Sequence, residues 1–246
     1  MKKLENKIAL VTGGSRGIGA AISKKLAREG ATVLFTFSHA TEKAQAVVAE
    51  IKEAGGNAVA IQADSSDSQQ ITDTVNAAIA KFGHIDILVS NAGIYIGKAF
   101  EDHTLEDYER IMSINVRAVY LAAHAVAKQM SAGGRIITIG SNLADNSLSS
   151  QTTLYTMSKS ALQGFTRGLA RDLGPKGITV NLVQPGPIDT DMNPSNTEHA
   201  EFLRGRMAIP KYGTGEDIAG LVSFLASEEG NFITGSALTI DGGFNA

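Results

Sequence analysis

Cysteine is absent from the 246 residues of this chain. Its absence excludes disulfide bonds, thiol catalysis and any zinc site built on thiolate ligands. The five histidines are scattered along the sequence, and none has the spacing of paired metal ligands on a helix. The sequence therefore predicts no metal site.

Long apolar runs and blocks of like charge are also missing. The first apolar run, residues 8–11, is too short for a signal-peptide core or a membrane span, so we expect a cytoplasmic protein outside membranes. The formal net charge is −3 with both signs interspersed, which predicts no nucleic-acid partner. Hydrophobic residues make up 43% of the chain and charged residues 19%, enough apolar material for a sizeable core.

Short apolar runs alternate with segments of helical periodicity along the whole chain. Because parallel strands need crossover connections, this alternation predicts a Rossmann-type doubly wound α/β fold, with a parallel seven-stranded sheet and helices on both faces. No linker or low-complexity tract interrupts it, which favours a single domain over residues 1–246. The predicted strands are 8–11, 32–37, 58–61, 85–90, 135–139, 178–183 and 237–240.

Helix-end signals support this reading of the sequence. Residues 104–107 and 214–217 each have the pattern of a capping box, Gly30 is a predicted C-cap of the first helix, and Gly174 is predicted to end the helix that carries Tyr155. Residues 189–213 form the longest stretch without a predicted strand, and we interpret them as a mobile lid.

A glycine-rich turn, residues 12–19, follows the first predicted strand and opens a helix. Glycine lets the backbone approach a pyrophosphate closely, and the helix N-terminus stabilises its charge. A packing turn without a ligand would also use glycine, but four glycines at the first strand-to-helix junction favour a dinucleotide site. The candidate contacts are Gly13, Ser15, Arg16, Gly17, Ile18 and Gly19.

The order of further motifs resembles the short-chain dehydrogenase/reductase family over essentially the whole chain. After Thr12 and its glycine turn come Asn91-Ala-Gly93, Asn115, Ser141, Tyr155-x-x-x-Lys159 and Pro185-Gly-Pro-Ile-Asp-Thr190. Within the family the chain is most similar to the bacterial 3-oxoacyl-[acyl-carrier-protein] reductase type. The resemblance implies an oxidoreductase acting on a carbonyl or alcohol. It also implies a homotetramer, with the helices after residues 102 and 155 at one interface and residues 235–246 at another.

Four residues are the predicted catalytic set: Asn115, Ser141, Tyr155 and Lys159. Tyr155 and Lys159 lie four positions apart, on one face of a helix, and we expect the ammonium to lower the pKa of the phenol so that it exchanges protons. Ser141 follows the fifth strand, where its hydroxyl can hold a substrate carbonyl oxygen. Considered singly, Tyr155 and Lys159 would be ordinary side chains on an exposed helix surface, and Ser141 would be a helix cap. The resemblance also implies that Lys159 bonds the nicotinamide ribose and that Asn115 anchors a proton-relaying water.

The expected cofactor is NADP(H). The end of the second strand, residues 35–39, lacks the carboxylate that binds the ribose of NAD, whereas Ser38, His39 and Arg16 can hold a 2′-phosphate. Surface pairing is the alternative for Arg16, and ordinary turns are the alternative for residues 64–65 and 185–190. The remaining cofactor contacts implied by the resemblance are Asp64, Ser65, Asn91, Ala92, Gly93, Tyr155, Lys159, Pro185, Gly186, Ile188 and Thr190.

The substrate is not specified by the sequence. The predicted pocket segments 95–98, 142–154 and 192–207 have no dominant charge, and the separation of Ser141 from Tyr155, longer than usual in the family, predicts a bulge in 142–154. A substrate on acyl-carrier protein would require a basic patch, for which Lys98, Arg204 and Arg206 are the candidates. Two functions stay open: a reductase, or a nucleotide-binding regulatory protein with little or no turnover.

Overall fold

A computed structural model describes residues 2–147 and 149–246 of the chain. Its seven strands form one sheet in the order β3-β2-β1-β4-β5-β6-β7, and every pairing is parallel. The predicted doubly wound fold is confirmed. The strands are β1 (Ile8–Val11), β2 (Thr32–Phe37), β3 (Asn57–Gln62), β4 (Ile87–Ser90), β5 (Arg135–Ile139), β6 (Thr179–Pro185) and β7 (Ala237–Ile240).

The predicted strand positions are right, and the errors are confined to the ends. β4 begins two residues later than predicted, and β6 begins one residue later and runs on to Pro185. The structural consequence lies at β6, because its extension places Pro185 beside Ile240 of β7. The carboxyl ends of β1, β4, β5 and β6 thus share one sheet edge, where ligands bind in folds of this kind.

Eight α-helices among the described residues connect these strands. Both predicted capping boxes are present, at Thr104 and Thr214, and Gly174 caps the longest helix as expected. Gly30, with φ of 106°, lies just beyond the helix end at Arg28. The helices are α1 (Gly17–Arg28), α2 (Thr41–Glu53), α3 (Ser68–Phe82), α4 (Leu105–Met112), α5 (Ala118–Ala127), α6 (Thr153–Leu173), α7 (Glu198–Arg204) and α8 (Gly215–Ala226).

The core lies on both faces of the sheet. Successive strand residues point to opposite faces, so Val11 packs on the side of α1, α2 and α8, while Leu10 packs on the side of α3, α5 and α6. Both faces are covered by apolar helix surfaces, which explains why the strands read as continuous apolar runs.

The segment between β6 and α8 is more ordered than the predicted lid. It contains α7, which the sequence analysis missed because seven residues carry too little periodicity. Its Ala200 and Leu203 pack with Met207, Tyr212 and the C-terminal Phe244 in a small apolar cluster of their own. This cluster joins the base of the segment to the chain's C-terminus, and lid motion stays a prediction.

Candidate functional site

The glycine turn and the end of β4 are locked together by Thr12 and Asn91. The Thr12 hydroxyl accepts hydrogen bonds from the backbone N–H groups of Asn91 and Ala92 at 3.0 and 3.1 Å. The Asn91 amide donates in return to the carbonyls of Thr12 and Gly13, both at 3.0 Å. The predicted residues 91–93 therefore border the turn.

Close packing explains the glycines of this turn. A Cβ on Gly19 would lie 2.1 Å from the Gly13 carbonyl oxygen, and one on Gly14 would lie 2.4 Å from Cβ of Phe35. Gly13 and Gly17 have φ of 69° and 51°, a conformation that favours glycine. The turn thus keeps a compact shape that a side chain at these positions would disrupt.

The start of α1 fits a phosphate group. Arg16 precedes the helix without a side-chain cap, and the first turn contains no acidic residue. The positive end of the helix dipole is therefore available for an anion. The uncapped helix end offers backbone N–H groups to a dinucleotide pyrophosphate, and the glycines of residues 13–19 let it approach closely. The turn and the helix start therefore fit this group.

A pair of cations flanks this helix end. Arg16 Nη1 lies 3.8 Å from Asp191 Oδ2, and Lys43 Nζ lies 2.6 Å from the same oxygen. Hydrogen bonding and charge from Lys43, with a smaller effect of Arg16, lower the pKa of Asp191. Arg16 thus has the surface partner weighed as its alternative. Lys43 was missed because the contact spans 148 positions of sequence.

The other predicted contacts of the adenosine half follow β2 and β3. Ser38 and His39 leave β2 just before α2, and the Ser38 carbonyl accepts a bond from Gln62 at 2.9 Å. Asp64 forms a local turn, in which its carboxylate accepts the N–H of Ser66 at 2.8 Å. This geometry is the ordinary-turn alternative for Asp64, and cofactor contact by residues 64–65 stays a prediction.

The segment 185–190 faces the glycine turn from the other side. Gly186 donates its N–H to the Ile240 carbonyl at 3.0 Å, and a Cβ on Gly186 would lie 2.4 Å from Cβ of Asp241. Thr190 comes so near the glycine turn that a Cβ on Gly17 would meet its methyl group at 3.3 Å. The two segments therefore lie side by side at the carboxyl edge of the sheet.

Tyr155, Lys159 and Ser141 are brought together above β5. Lys159 Nζ lies 5.7 Å from the centroid of the Tyr155 ring and donates a hydrogen bond to the Ile139 carbonyl at 2.9 Å. Ser141 caps a 3-10 turn over Asn142–Ala144 by accepting the N–H of Leu143 at 3.2 Å. It therefore has the capping role proposed as its alternative and, at the same time, a place beside the Tyr155 phenol.

The expected lowering of the Tyr155 pKa is wrong for the protein chain by itself. Burial raises the pKa of the phenol, the Ser141 hydroxyl partly opposes this effect, and Tyr95 adds to it. Lys159 donates its hydrogen bond to the Ile139 carbonyl, and burial therefore dominates the pKa of the neighbouring phenol. Burial in turn lowers the pKa of Lys159 to about 8. The phenol is thus protonated at neutral pH.

Asn115 lies in a π-helical turn, Ser113–Arg117, between α4 and α5. Such turns are rare and are often found at functional sites. Its buried amide accepts the N–H of Ile94 at 2.9 Å and donates to the Ile94 carbonyl and the Ser158 hydroxyl, both at 3.0 Å. Asn115 therefore fixes the loop after β4 against the helix that carries Tyr155, and its water-anchoring role stays a prediction.

The C-terminus contributes residues that the sequence analysis did not assign. The Asn245 amide donates to the Asn142 carbonyl at 2.8 Å, and the Asn142 amide donates to Asp241 and Asn245 at 3.4 Å. Asn142 follows Ser141 directly, so this network holds the Ser141 turn against residues 241–245. The pairs lie about 100 positions apart, and no local sequence signal reveals them.

The described residues 2–147 and 149–246 lack two further kinds of feature. No helix within them is long and apolar enough to cross a membrane. No three His, Asp or Glu side chains in the same ranges cluster as metal ligands.

Known proteins resemble the chain over nearly its full length. The family model described as enoyl-(acyl carrier protein) reductase matches residues 13–245. A short-chain dehydrogenase from Burkholderia cenocepacia, solved in complex with NADP, is 52% identical, with a TM-score of 0.97 over 99% of this chain and 100% of that chain. The cyclic-di-GMP-binding biofilm dispersal mediator protein of Escherichia coli is 45% identical, with 100% of both chains covered. Elsinochrome reductase 1 of Elsinoe fawcettii is 39% identical, with 98% of this chain and 95% of that protein covered. The chain is a member of the short-chain dehydrogenase/reductase family.

Proposed function

We propose that this oxidoreductase transfers hydride between NADP(H) and a small, uncharged carbonyl or alcohol, with Tyr155 as acid and base. The observation that carries the proposal is the convergence of Tyr155, Lys159 and Ser141 at the sheet edge beside the glycine turn. A protein that only bound a nucleotide would have no need of a buried phenol and ammonium there.

The side chains divide the chemistry among them. Ser141 donates a hydrogen bond to the carbonyl oxygen, and the Tyr155 hydroxyl gives its proton to that oxygen as negative charge develops on it. The Lys159 ammonium stabilises the phenolate that remains. NADP(H), when bound, supplies the hydride to the carbonyl carbon or accepts it in the reverse direction. Asn115 keeps the loop after β4 and the start of α6 in place.

The surface formed by residues 12–19 and 185–190 would hold the cofactor. The contacts predicted for the pyrophosphate and the nicotinamide lie on these two segments and at residues 91–93, 155 and 159. Ser38, His39 and Arg16, the predicted contacts of the 2′-phosphate, would bind it together with Lys43. The relatives solved with NADP or NADPH, at 52% identity, support this assignment. Asp191 pairs with both cations, so two positive charges share one carboxylate and a net positive charge remains for the 2′-phosphate.

Replacing either Arg16 or Lys43 with alanine should weaken NADPH binding about three- to tenfold, because each removes one exposed charged donor to the 2′-phosphate. The affinity for NADH, which lacks that phosphate, should change less than about twofold. Titration of protein with each nucleotide, followed by fluorescence, measures both values. Lys52→Ala, at an exposed lysine further along α2, is the matched control. Equal losses for NADPH and NADH would refute the 2′-phosphate assignment.

The candidate basic patch for an acyl-carrier protein is largely neutralised within the chain. Lys98 pairs with Asp107 at 2.6 Å, Arg204 pairs with Glu201, and the Arg206 guanidinium lies 4.5 Å from the centroid of the Phe202 ring. Two of the three cations are thus already paired with carboxylates. This arrangement favours a small free carbonyl compound over a substrate carried on an acidic protein.

The homotetramer stays part of the proposal, supported by two exposed apolar surfaces. On α4, α5 and α6, a groove is lined by apolar and aromatic side chains that include Tyr108, Tyr120 and Phe165. Near the edge strand β7, Phe232 is 98% exposed. Burial of such surfaces drives association.

Light scattering should give a mass near four times 25.8 kDa, and the mass of one chain would contradict the assembly. The expected cytoplasmic location remains a prediction.

The test of the proposed reaction is NADPH consumption by the purified protein with a panel of neutral ketones. Turnover of at least one ketone, with the matching alcohol as product, is the expected result. The alternative, a nucleotide-binding regulatory protein, is favoured by one observation: the 45% identical relative from Escherichia coli is a cyclic-di-GMP-binding protein. Tight NADPH binding with no turnover of any ketone would favour that alternative and refute the reductase function.

A further inference from the structure

Tyr95 is the nearest aromatic neighbour described for Tyr155. Their ring centroids are 5.2 Å apart and the planes meet at 73°, so the two rings pack edge to face. This arrangement is the favoured one for aromatic pairs. Tyr95 therefore touches the side chain to which the proposed function assigns proton transfer.

Three separate features hold Tyr95 in this place. Its backbone follows Ile94, both of whose polar groups are bonded to Asn115. Its hydroxyl donates to the Gln151 carbonyl at 3.3 Å, a bond that joins the loop after β4 to the residues just before α6. Its ring lies so near Gly97 that a Cβ there would stand 2.7 Å from the Tyr95 hydroxyl oxygen and Cε1.

The backbone at Gln151 is unusual in a way that supports this contact. Gln151 has φ of 64°, and non-glycine residues rarely adopt that conformation. Such outliers persist where the surrounding structure holds them, and they are concentrated at functional sites. The Gln151 carbonyl that accepts the Tyr95 hydroxyl is thus part of a constrained turn next to α6.

Tyr95 is also accessible to a ligand. The residue is 44% exposed although its ring packs on Tyr155, and the cation Lys98, three positions further along, is paired with Asp107. A flat apolar surface without a free charge of its own therefore lies beside the proton-donating phenol. Such a surface gains most from a flat, uncharged partner, because ring-on-ring contact adds to simple burial.

We propose that Tyr95 positions Tyr155 and forms a wall of the substrate pocket that selects aryl ketones over saturated ketones of the same size. This inference rests on the proposed reductase function and names its substrate class. The ring of Tyr95 provides the selection, and its hydroxyl, through Gln151, keeps the wall in place against α6.

A matched pair of substrates tests the selection. Acetophenone and cyclohexyl methyl ketone have the same carbon skeleton, and only the first has a flat ring. We expect wild-type kcat/KM to favour acetophenone. Tyr95→Leu should lower kcat/KM for acetophenone about tenfold and for cyclohexyl methyl ketone less than about threefold. Tyr95→Phe, which keeps the ring, should preserve the ratio of the two values while lowering kcat for both ketones.

Gly97→Ala perturbs the same wall without altering Tyr95 itself. Its Cβ would push the Tyr95 ring aside, so the preference for acetophenone should fall as it does in Tyr95→Leu. Phe224→Leu, at an exposed phenylalanine of α8, is the control and should leave the ratio unchanged. A purely structural role for Tyr95 would lower the unfolding temperature and leave the ratio of the two substrates untouched.

The outcomes separate the inference from the function on which it rests. Equal loss with both ketones in Tyr95→Leu and Gly97→Ala, in an active wild-type enzyme, would overturn the role of Tyr95 and leave the reductase intact. A wild-type protein that reduces neither these ketones nor any other in the panel would overturn both.

Discussion

Replacing Tyr155 with phenylalanine is expected to lower kcat for ketone reduction by about 10²- to 10⁴-fold, the usual contribution of a positioned proton donor. The substitution removes only the hydroxyl group. The phenyl ring can still pack against Tyr95 and beside Lys159, so the pocket keeps its shape. The affinity for NADPH should therefore change less than about threefold. Steady-state kinetics and fluorescence titration of the same preparation measure the two quantities.

The raised pKa of Tyr155 is consistent with its role as the proton donor. Burial keeps the phenol protonated at neutral pH, which is the form that donates a proton during reduction. Tyr120→Phe removes a hydroxyl from the outer face of α5 and is the control, with kcat expected to stay within about twofold of wild type. If Tyr155→Phe retained more than a tenth of wild-type kcat, Tyr155 would not be the proton donor.

Replacing Lys159 with methionine is expected to have opposite effects on activity and on stability. Activity should fall by about 10²-fold or more, because no cation remains to stabilise the phenolate. The free energy of unfolding should rise at pH 7. Burial lowers the Lys159 pKa from 10.5 to about 8, which corresponds to a cost of about 3 kcal/mol for the buried ammonium. Loss of the hydrogen bond to the Ile139 carbonyl reduces the expected stabilisation by about 1 kcal/mol.

The pH dependence fixes the sign of the stability effect. Below pH 8 the folded wild type holds the charged ammonium and bears its full burial cost. Between pH 8 and about 10.5 the folded state releases the proton while the unfolded state keeps it, so wild-type stability rises with pH. The advantage of Lys159→Met, about 5 °C in unfolding temperature at pH 7, should shrink over that interval.

Thermal unfolding without nucleotide, from pH 7 to 10, measures this advantage. Lys52→Met, at an exposed lysine of α2, is the control and should shift the unfolding temperature by less than about 1 °C. If Lys159→Met unfolded at a lower temperature than wild type at pH 7, the buried charge of Lys159 would not destabilise the folded protein. Normal turnover in that variant would remove Lys159 from the proposed mechanism.

Much of the fold could be predicted because it depends on local patterns. Strands buried on both faces require apolar runs, and helices require a buried stripe and caps, so β1, β2, β5 and β7 have the predicted bounds. The helix α7 was missed because it is short and is stabilised by the distant Phe244. The π-helical turn at Asn115 was also missed, since one shifted hydrogen bond leaves no trace in the periodicity.

The identity of the site residues could be predicted from the order of their motifs in the sequence, but their pKa shifts could not. The four-residue spacing of Tyr155 and Lys159 indicated a shared helix face. The direction of the Tyr155 pKa shift, however, depends on burial and on where Lys159 donates its hydrogen bond. The contact of Lys43 with Asp191 and that of Tyr95 with Tyr155 depend on chain segments that meet only in the folded protein. Sequence spacing does not encode such contacts.

Transfer of deuterium from NADPH to a ketone distinguishes a reductase from a protein that only binds the nucleotide. Purified protein is mixed with NADPH that carries deuterium at the transferable C4 position, and the alcohol product is analysed by mass spectrometry and NMR. We expect one deuterium at the carbinol carbon with the wild type, and a rate of transfer at least about 10²-fold lower with Tyr155→Phe. Tight binding of the labelled nucleotide with no deuterium in any alcohol would show that the protein is not a reductase and only binds the nucleotide.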